Sequence, residues 1–340
     1  MQNICIYIKL KGGMKMKQCN FIIKHKTKRD LKLLALTLSL FVGLVGCDTQ
    51  KPSSSSNSSN STDSGKIIQA VGAENEYADV IKQIGGDYVS VTSIMSDVGT
   101  DPHSYEVNTK DSGDISKATL IVQNGLGYDD FMDKLESSST NSNRKVIDVA
   151  KALDYGDDTE NPHLWYKPDT MPKVAKLIAE NLESQLPDQK NYFESNLTKF
   201  NDSLKTFNDD LKQIQDLYAK TGVAVTEPVS DYMLEAANLD IKTPWDYQAS
   251  VMNGTDPSPQ NVKIQEDLMM NKQVKVFIYN QQAIDDSTTT LLNLAKSNNI
   301  PIVGVYETMP PNHTYQSWME TEAESIIKAL KDGISTEKIS

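Results

Sequence analysis

The chain has 340 residues, enough for two domains of ordinary size, and a formal net charge of −12. Residues 1–46 hold nine Lys/Arg and one acidic residue, so residues 47–340 set 25 basic against 45 acidic side chains, a net charge of −20. Such a surface disfavours nucleic acid as a partner and is compatible with drawing in cations.

The opening segment reads as an address rather than as part of a fold. Lys24, Lys26, Lys28 and Arg29 precede an apolar run, Leu33–Gly46 (LLALTLSLFVGLVG). The run is shorter than the about 20 apolar residues of a membrane-spanning helix. Basic, then apolar, then small is the layout of an export signal, expected here over residues 1–46, with Met14 and Met16 as alternative starts. The signal ends in Leu44-Val45-Gly46-Cys47, which resembles the bacterial lipobox, whose cysteine becomes the first mature residue and carries a lipid. Cys47 is therefore the expected lipidation site, and the protein is expected outside the cytoplasm, held to the cell membrane by that lipid. Ser53–Ser64 (SSSSNSSNSTDS) is too polar to bury anything, so residues 47–65 are expected to be a flexible tether. The other cysteines, Cys5 and Cys19, fall in the segment to be removed. The mature body then offers no thiol as ligand or nucleophile.

Strand-like and helix-like runs alternate beyond the tether. Lys66–Val71, Tyr88–Met95, Thr119–Gln123 and Val146–Val149 read as strands, with a helix at Glu76–Ile84 after the first. Asp169–Leu186 is amphipathic, with Asp169 as a candidate N-cap and Pro187 as its stop. Phe193, Leu197, Phe200, Leu204, Phe207, Leu211 and Ile214 recur in steps of four and three, which predicts one long helix with a core-facing stripe. The βα pattern resumes with strands at Gly222–Thr226, Lys275–Tyr279 and Ile300–Tyr306, and helices at Tyr232–Ala237, Thr288–Ser297 and Thr321–Leu330. The pattern predicts an α/β protein with parallel sheets in two lobes, residues 66–168 and 187–335, joined by the helix 169–186. A helical joint is stiffer than a loop and would limit hinge closure.

Histidine is scarce. Of four, His25 lies in the signal and His313 in a loop after Pro310-Pro311-Asn312. His103 (Asp101-Pro102-His103-Ser104-Tyr105-Glu106) and His163 (Asn161-Pro162-His163-Leu164-Trp165) share a Pro-His context, in which proline fixes φ and stiffens the turn. Imidazole is the common nitrogen ligand of transition metals. Glu227 and Glu307 directly follow two of the strands in the second lobe, and open α/β sheets bind ligands beyond the carboxyl ends of their strands.

With those motifs in order, and with Asp256-Pro257-Ser258-Pro259 after them, residues 66–333 resemble the metal-binding lipoproteins of bacterial zinc/manganese ABC importers. The resemblance implies two α/β lobes bridged by one long helix and a metal held in the interlobe cleft by four side chains. Carried over by motif, His103 and His163 come from the first lobe and Glu227 and Glu307 from the second. It also implies a membrane permease and a cytoplasmic ATPase as partners, and a monomer. Two positions depart from the family pattern: zinc-selective members usually have histidine where Glu227 stands, and the last ligand is often aspartate where Glu307 stands. A histidine-rich loop found in some zinc members is replaced here by the Ser/Asn-rich Glu136–Asn143.

Two imidazoles and two carboxylates suit Mn(II) better than an all-nitrogen set does, while zinc also accepts carboxylate oxygen; Fe(II) falls within the same donor range. An enzyme is not expected: four protein ligands leave no open position for catalytic water, and HExxH, GxSxG and Gly-rich phosphate loops are absent. A surface adhesin with a structural metal would lack a reason to split its site between lobes. A receptor for a non-metal ligand would need aromatic walls and a basic anchor; Trp165, Trp245 and Trp318 fit core or rim packing better.

Overall fold

Strands and helices alternate as the hydrophobic pattern predicts. The computed structural model describes residues 67–97, 105–156 and 158–339. The first lobe runs β1 (Ile68–Glu74), α1 (Asn75–Gly85), β2 (Val89–Met95), α2 (Thr109–Lys117), β3 (Leu120–Gln123), α3 (Phe131–Ser138), β4 (Lys145–Asp148) and α4 (Val149–Ala152). Its four strands are parallel, in the order β2-β1-β3-β4. β1 and β3 are buried on both faces and therefore read as nearly continuous apolar runs rather than as alternation. Gly72 on β1 has no room for a Cβ, which would meet the backbone N of Ala78 at 2.4 Å. That close approach folds the start of α1 back over the end of the sheet.

The chain then turns helical. α5 (Thr170–Gln185) packs on α1, α6 (Lys190–Ser203) on α1 and α5, and α7 (Lys205–Tyr218) on α12 (Tyr315–Asp332) of the second lobe. The stripe predicted as one helix is thus two, broken at Leu204. Asn201-Asp202-Ser203 explain the break. All three are weak helix formers, and the Ser203 hydroxyl donates to Phe200 O at 2.7 Å in competition with the helix ladder. The apolar stripe survives it, with Phe193, Phe200, Leu204, Phe207, Leu211 and Ile214 all buried.

The second lobe comprises β5 (Gly222–Val225), α8 (Asp231–Ala236), β6 (Asp240–Ile241), α9 (Trp245–Met252), α10 (Pro259–Met270), β7 (Val276–Asn280), α11 (Asp286–Ser297), β8 (Ile302–Val305) and α12. Its sheet repeats the first, parallel in the order β6-β5-β7-β8. The sequence pattern missed α2, α3, α4, α9, α10 and the two-residue β6, whose stretches are short, polar or without apolar spacing. Each sheet has one point where the winding reverses, between β1 and β3 and between β5 and β7, and open α/β sheets bind ligands at such points. Glu74 ends β1, and Glu227 lies two residues beyond β5.

Candidate metal centre

His163 is held by the turn that precedes it. Asn161 Oδ1 accepts from the backbone N–H of His163 at 3.0 Å and faces Nδ1 of the same residue at 2.7 Å. Asn161 Nδ2 donates to Pro228 O at 2.9 Å, so the amide orientation is fixed at both ends. Oδ1 is then an acceptor, Nδ1 must carry the proton, and Nε2 presents its lone pair. An outer partner that fixes tautomer and ring direction in this way is the usual support of a metal-ligating histidine. The ring is wholly buried and sits edge-on to Tyr128 and Trp165, with centroids 5.8 and 5.4 Å away.

Nε2 faces Glu307 Oε2 at 3.7 Å, with both side chains buried. That is too long for a direct hydrogen bond. It is comparable with the about 3–4 Å between two ligands that each lie about 2.0–2.2 Å from one metal ion. Glu307 is oriented from three elements. Tyr128 Oη donates to Oε2 at 3.1 Å, Asn280 Nδ2 at the end of β7 donates to Oε1, and Gln282 Oε1 accepts from the Glu307 backbone N–H at 2.7 Å.

Glu227 is 4 % exposed and follows β5 on the same end of the second sheet. The residues around it are fastened to the sheet: Thr226 Oγ1 accepts from Asn280 N at 3.2 Å, and Gln265 Nε2 donates to Val225 O at 2.7 Å. The structure therefore brings His163 and Glu307 face to face and buries Glu227 just past β5, at the same end of the sheet. His103 and Cys47 lie outside the described residues. His313 is half-exposed, with its Nδ1 3.4 Å from Ser317 Oγ, and is not part of this grouping. Beside the pair, a cavity of about 350 Å³ opens between Leu126–Tyr128, Glu160 and Pro162 on one side and Trp245, Ala249, Met252 and Asn253 on the other. Trp165 and Trp318 are core, while Trp245 lines this cavity.

Sequence reasoning missed the orienting residues. Asn161 could have been found, because an Asn two residues before a histidine can cap its own turn. Tyr128, Asn280 and Gln282 carry no local signal, since only the fold brings them to Glu307. Two further carboxylates were missed as well. Glu74 and Glu76 are wholly buried. Burial raises both well above the usual carboxylate range; Asp129 and Glu76 push Glu74 further, and Glu307 and Asp129 push Glu76 further.

Residues 71–329 match the family model for the zinc-uptake complex component A, periplasmic (ZnuA). The chain belongs to this family. It is defined as a component of an uptake complex rather than by a reaction. Among curated relatives, the manganese ABC transporter substrate-binding lipoprotein ScaA of Streptococcus gordonii is 26% identical over 336 residues, 93% of this chain and 99% of the relative. The metal ABC transporter substrate-binding lipoprotein FimA of Streptococcus parasanguinis is 27% identical over 293 residues, 81% of this chain and 88% of the relative. Iron(II) finds no support in these relatives. Among solved structures, a crystal structure of ZnuA (22% identity) and a Mn-bound periplasmic metal-binding protein from Candidatus Liberibacter asiaticus (20%) each align with a TM-score of 0.64. Each covers 78% of this chain and 100% of the solved chain, and they share the two-sheet fold with its long linking helix.

Proposed function

We propose that this protein captures a divalent transition metal, Mn(II) or Zn(II), outside the cytoplasm and delivers it to an ABC importer made of a permease and an ATPase. The ligands are His103 and His163 from the first lobe (66–168) and Glu227 and Glu307 from the second (187–335). The observation that carries this reading is the buried pair His163 Nε2 and Glu307 Oε2, 3.7 Å apart, with the imidazole tautomer set by Asn161. Two neutral imidazoles and two carboxylates balance the charge of one dication, so a buried ion would leave no net charge. The mixed nitrogen and oxygen set accepts both metals. The names of the manganese and metal lipoproteins among the relatives support the same cargo class. Lipid at Cys47 and the tether 47–65 would keep the receptor at the membrane beside its permease. Among the described residues, no helix is long and apolar enough to cross a membrane.

The test is calorimetric titration of the chelator-stripped full chain with Mn(II) and Zn(II) in parallel, beside His103→Ala, His163→Ala, Glu227→Ala and Glu307→Ala. One tight equivalent in the parent, lost in each variant, is the expected result. Parent-like binding in the variants would remove the ligand assignment, and the Mn/Zn affinity ratio decides the preferred cargo.

A further inference from the structure

Glu74 and Glu76 stand out among the buried acids. Both are 0 % exposed, and among the described residues none of their four carboxylate oxygens has a side-chain donor; only backbone N–H groups, their own among them, act against the effect of burial. Most buried polar groups do have a hydrogen-bond partner, and exceptions call for an explanation. The backbone N–H of Met309 lies towards Glu76 but donates to Asn75 Oδ1 at 2.9 Å. The charges that act on the pair are also negative: Asp129, Glu307 and each other.

Their position is the second observation. Glu74 closes β1 at the reversal point of the first sheet, and Glu76 is in the first turn of α1. Between them, Asn75 grips the loop that follows Glu307, giving Nδ2 to Met309 O at 2.7 Å and taking Met309 N at 2.9 Å. The segment 74–76 is thereby fastened to the chain that carries Glu307, and Tyr128, which donates to Glu307, feels both carboxylates. A buried carboxyl pair with no side-chain donor among the described residues is a poor structural device. It becomes useful when a dication arrives nearby, because the cation favours loss of the protons that burial retains, and charges are weakly screened inside a protein.

We propose that Glu74 and Glu76 are an outer carboxyl pair, positioning residues that do not ligate the cargo but raise the centre's affinity for a divalent cation by ionising as it enters. The inference rests on the metal-binding reading above. It differs from a packing role in one respect: removing the ionisable carboxyl should weaken metal binding without weakening the metal-free fold.

Glu74→Gln, Glu76→Gln and the double variant of the full chain would be titrated with Mn(II) and Zn(II) alone, and each metal-free thermal midpoint measured. The expected result is an affinity lowered by about ten-fold or more for each carboxyl removed, for both metals alike. Metal-free midpoints should equal or exceed the parent's, and Glu76→Asp should keep affinity within about threefold of the parent. Unchanged affinity in the Gln variants would overturn the proposal. So would a fall in affinity that merely tracks a fall in the metal-free midpoint, or a double variant that does not fold while both single variants bind like the parent. The control is His163→Ala: binding that survives it refutes the centre itself, whereas binding lost in it but unaffected in the Gln variants refutes only the pair. A parent that binds neither metal refutes both.

Discussion

Glu322 and the Glu74–Glu76 pair are equally buried, but the protein treats them in opposite ways. Glu322, on α12, is surrounded by donors. Trp318 Nε1 and the Tyr306 N–H reach its Oε1 at 2.7 and 3.1 Å, and Tyr166 Oη reaches its Oε2 at 2.7 Å. Burial still raises it to about 8, but those hydrogen bonds pull the other way. Among the described residues, Glu74 and Glu76 receive no such side-chain donors. One carboxylate is therefore built into the fold as a knot tying β8, α12 and the turn after His163 together. The other two are held at the end of a sheet, where burial makes them keep their protons. A carboxylate serving structure should be intolerant of removal, and one serving a transient cation should not.

The largest effect expected from this contrast is in Glu322→Leu. It leaves the Trp318 and Tyr306 donors buried without an acceptor, and should destabilise the protein by about 3–5 kcal/mol. Glu76→Leu orphans no donor and should be neutral or stabilising in the metal-free state. Urea unfolding of both variants at one pH decides it. If both lose similar stability, the distinction between the two kinds of buried acid is wrong. Next comes Asn161→Ala, which frees the His163 ring while leaving all proposed ligands in place. By its outer-partner role it should lower metal affinity by about 10–100-fold, and calorimetry should show unchanged stoichiometry.

A third test uses pH. Asp231 is raised from the ordinary aspartate value to about 8, first by burial and then by Glu235. The folded state therefore holds this proton more tightly than the unfolded chain. Stability is fully present below about 4, the unfolded value, and declines as pH rises through about 8. Glu322 is raised in the same direction. The urea midpoint of the metal-free protein should fall between pH 5.5 and 8.5, and Asp231→Asn should flatten part of that fall. A midpoint that rises over this range would contradict the raised values.

The sheets were legible in the sequence because parallel strands buried on both faces must be runs such as TLIVQ and KVFIY, and few other structures need them. As candidates, His163 and Glu307 were legible, His163 from its Pro-His turn and Glu307 from its place just past β8. What supports them was not, because it comes from far along the chain. Tyr128 lies 179 residues from Glu307, and Asn280 lies 27 residues from it. The break at Leu204 was hidden for another reason: the apolar period continues across it, and only the polar triplet Asn201-Asp202-Ser203 marks it. Glu74 and Glu76 read as ordinary helix-start acids in Ala73-Glu74-Asn75-Glu76, and nothing local distinguishes a buried glutamate there from a solvated one.

The smallest effect expected concerns the contact that fastens this segment to the loop after Glu307. Asn75→Ala removes two hydrogen bonds to the Met309 backbone across 234 residues of sequence. Asp79 still accepts from Tyr315 N at 2.8 Å, and Gln83 still pairs with Gln316, so α1 remains bound to the start of α12. The loss in stability should be about 1–2 kcal/mol, because two modest hydrogen bonds go while most of the interface persists. The more telling readout is metal affinity. If the 74–76 segment acts on the centre through carboxyls that ionise when the cation arrives, loosening its anchor should weaken binding less than Glu76→Gln does, since the carboxyl stays nearby. A larger drop than in Glu76→Gln would mean that the segment works by placing Glu307, and the contrast with Glu322 would then be one of position rather than of charge.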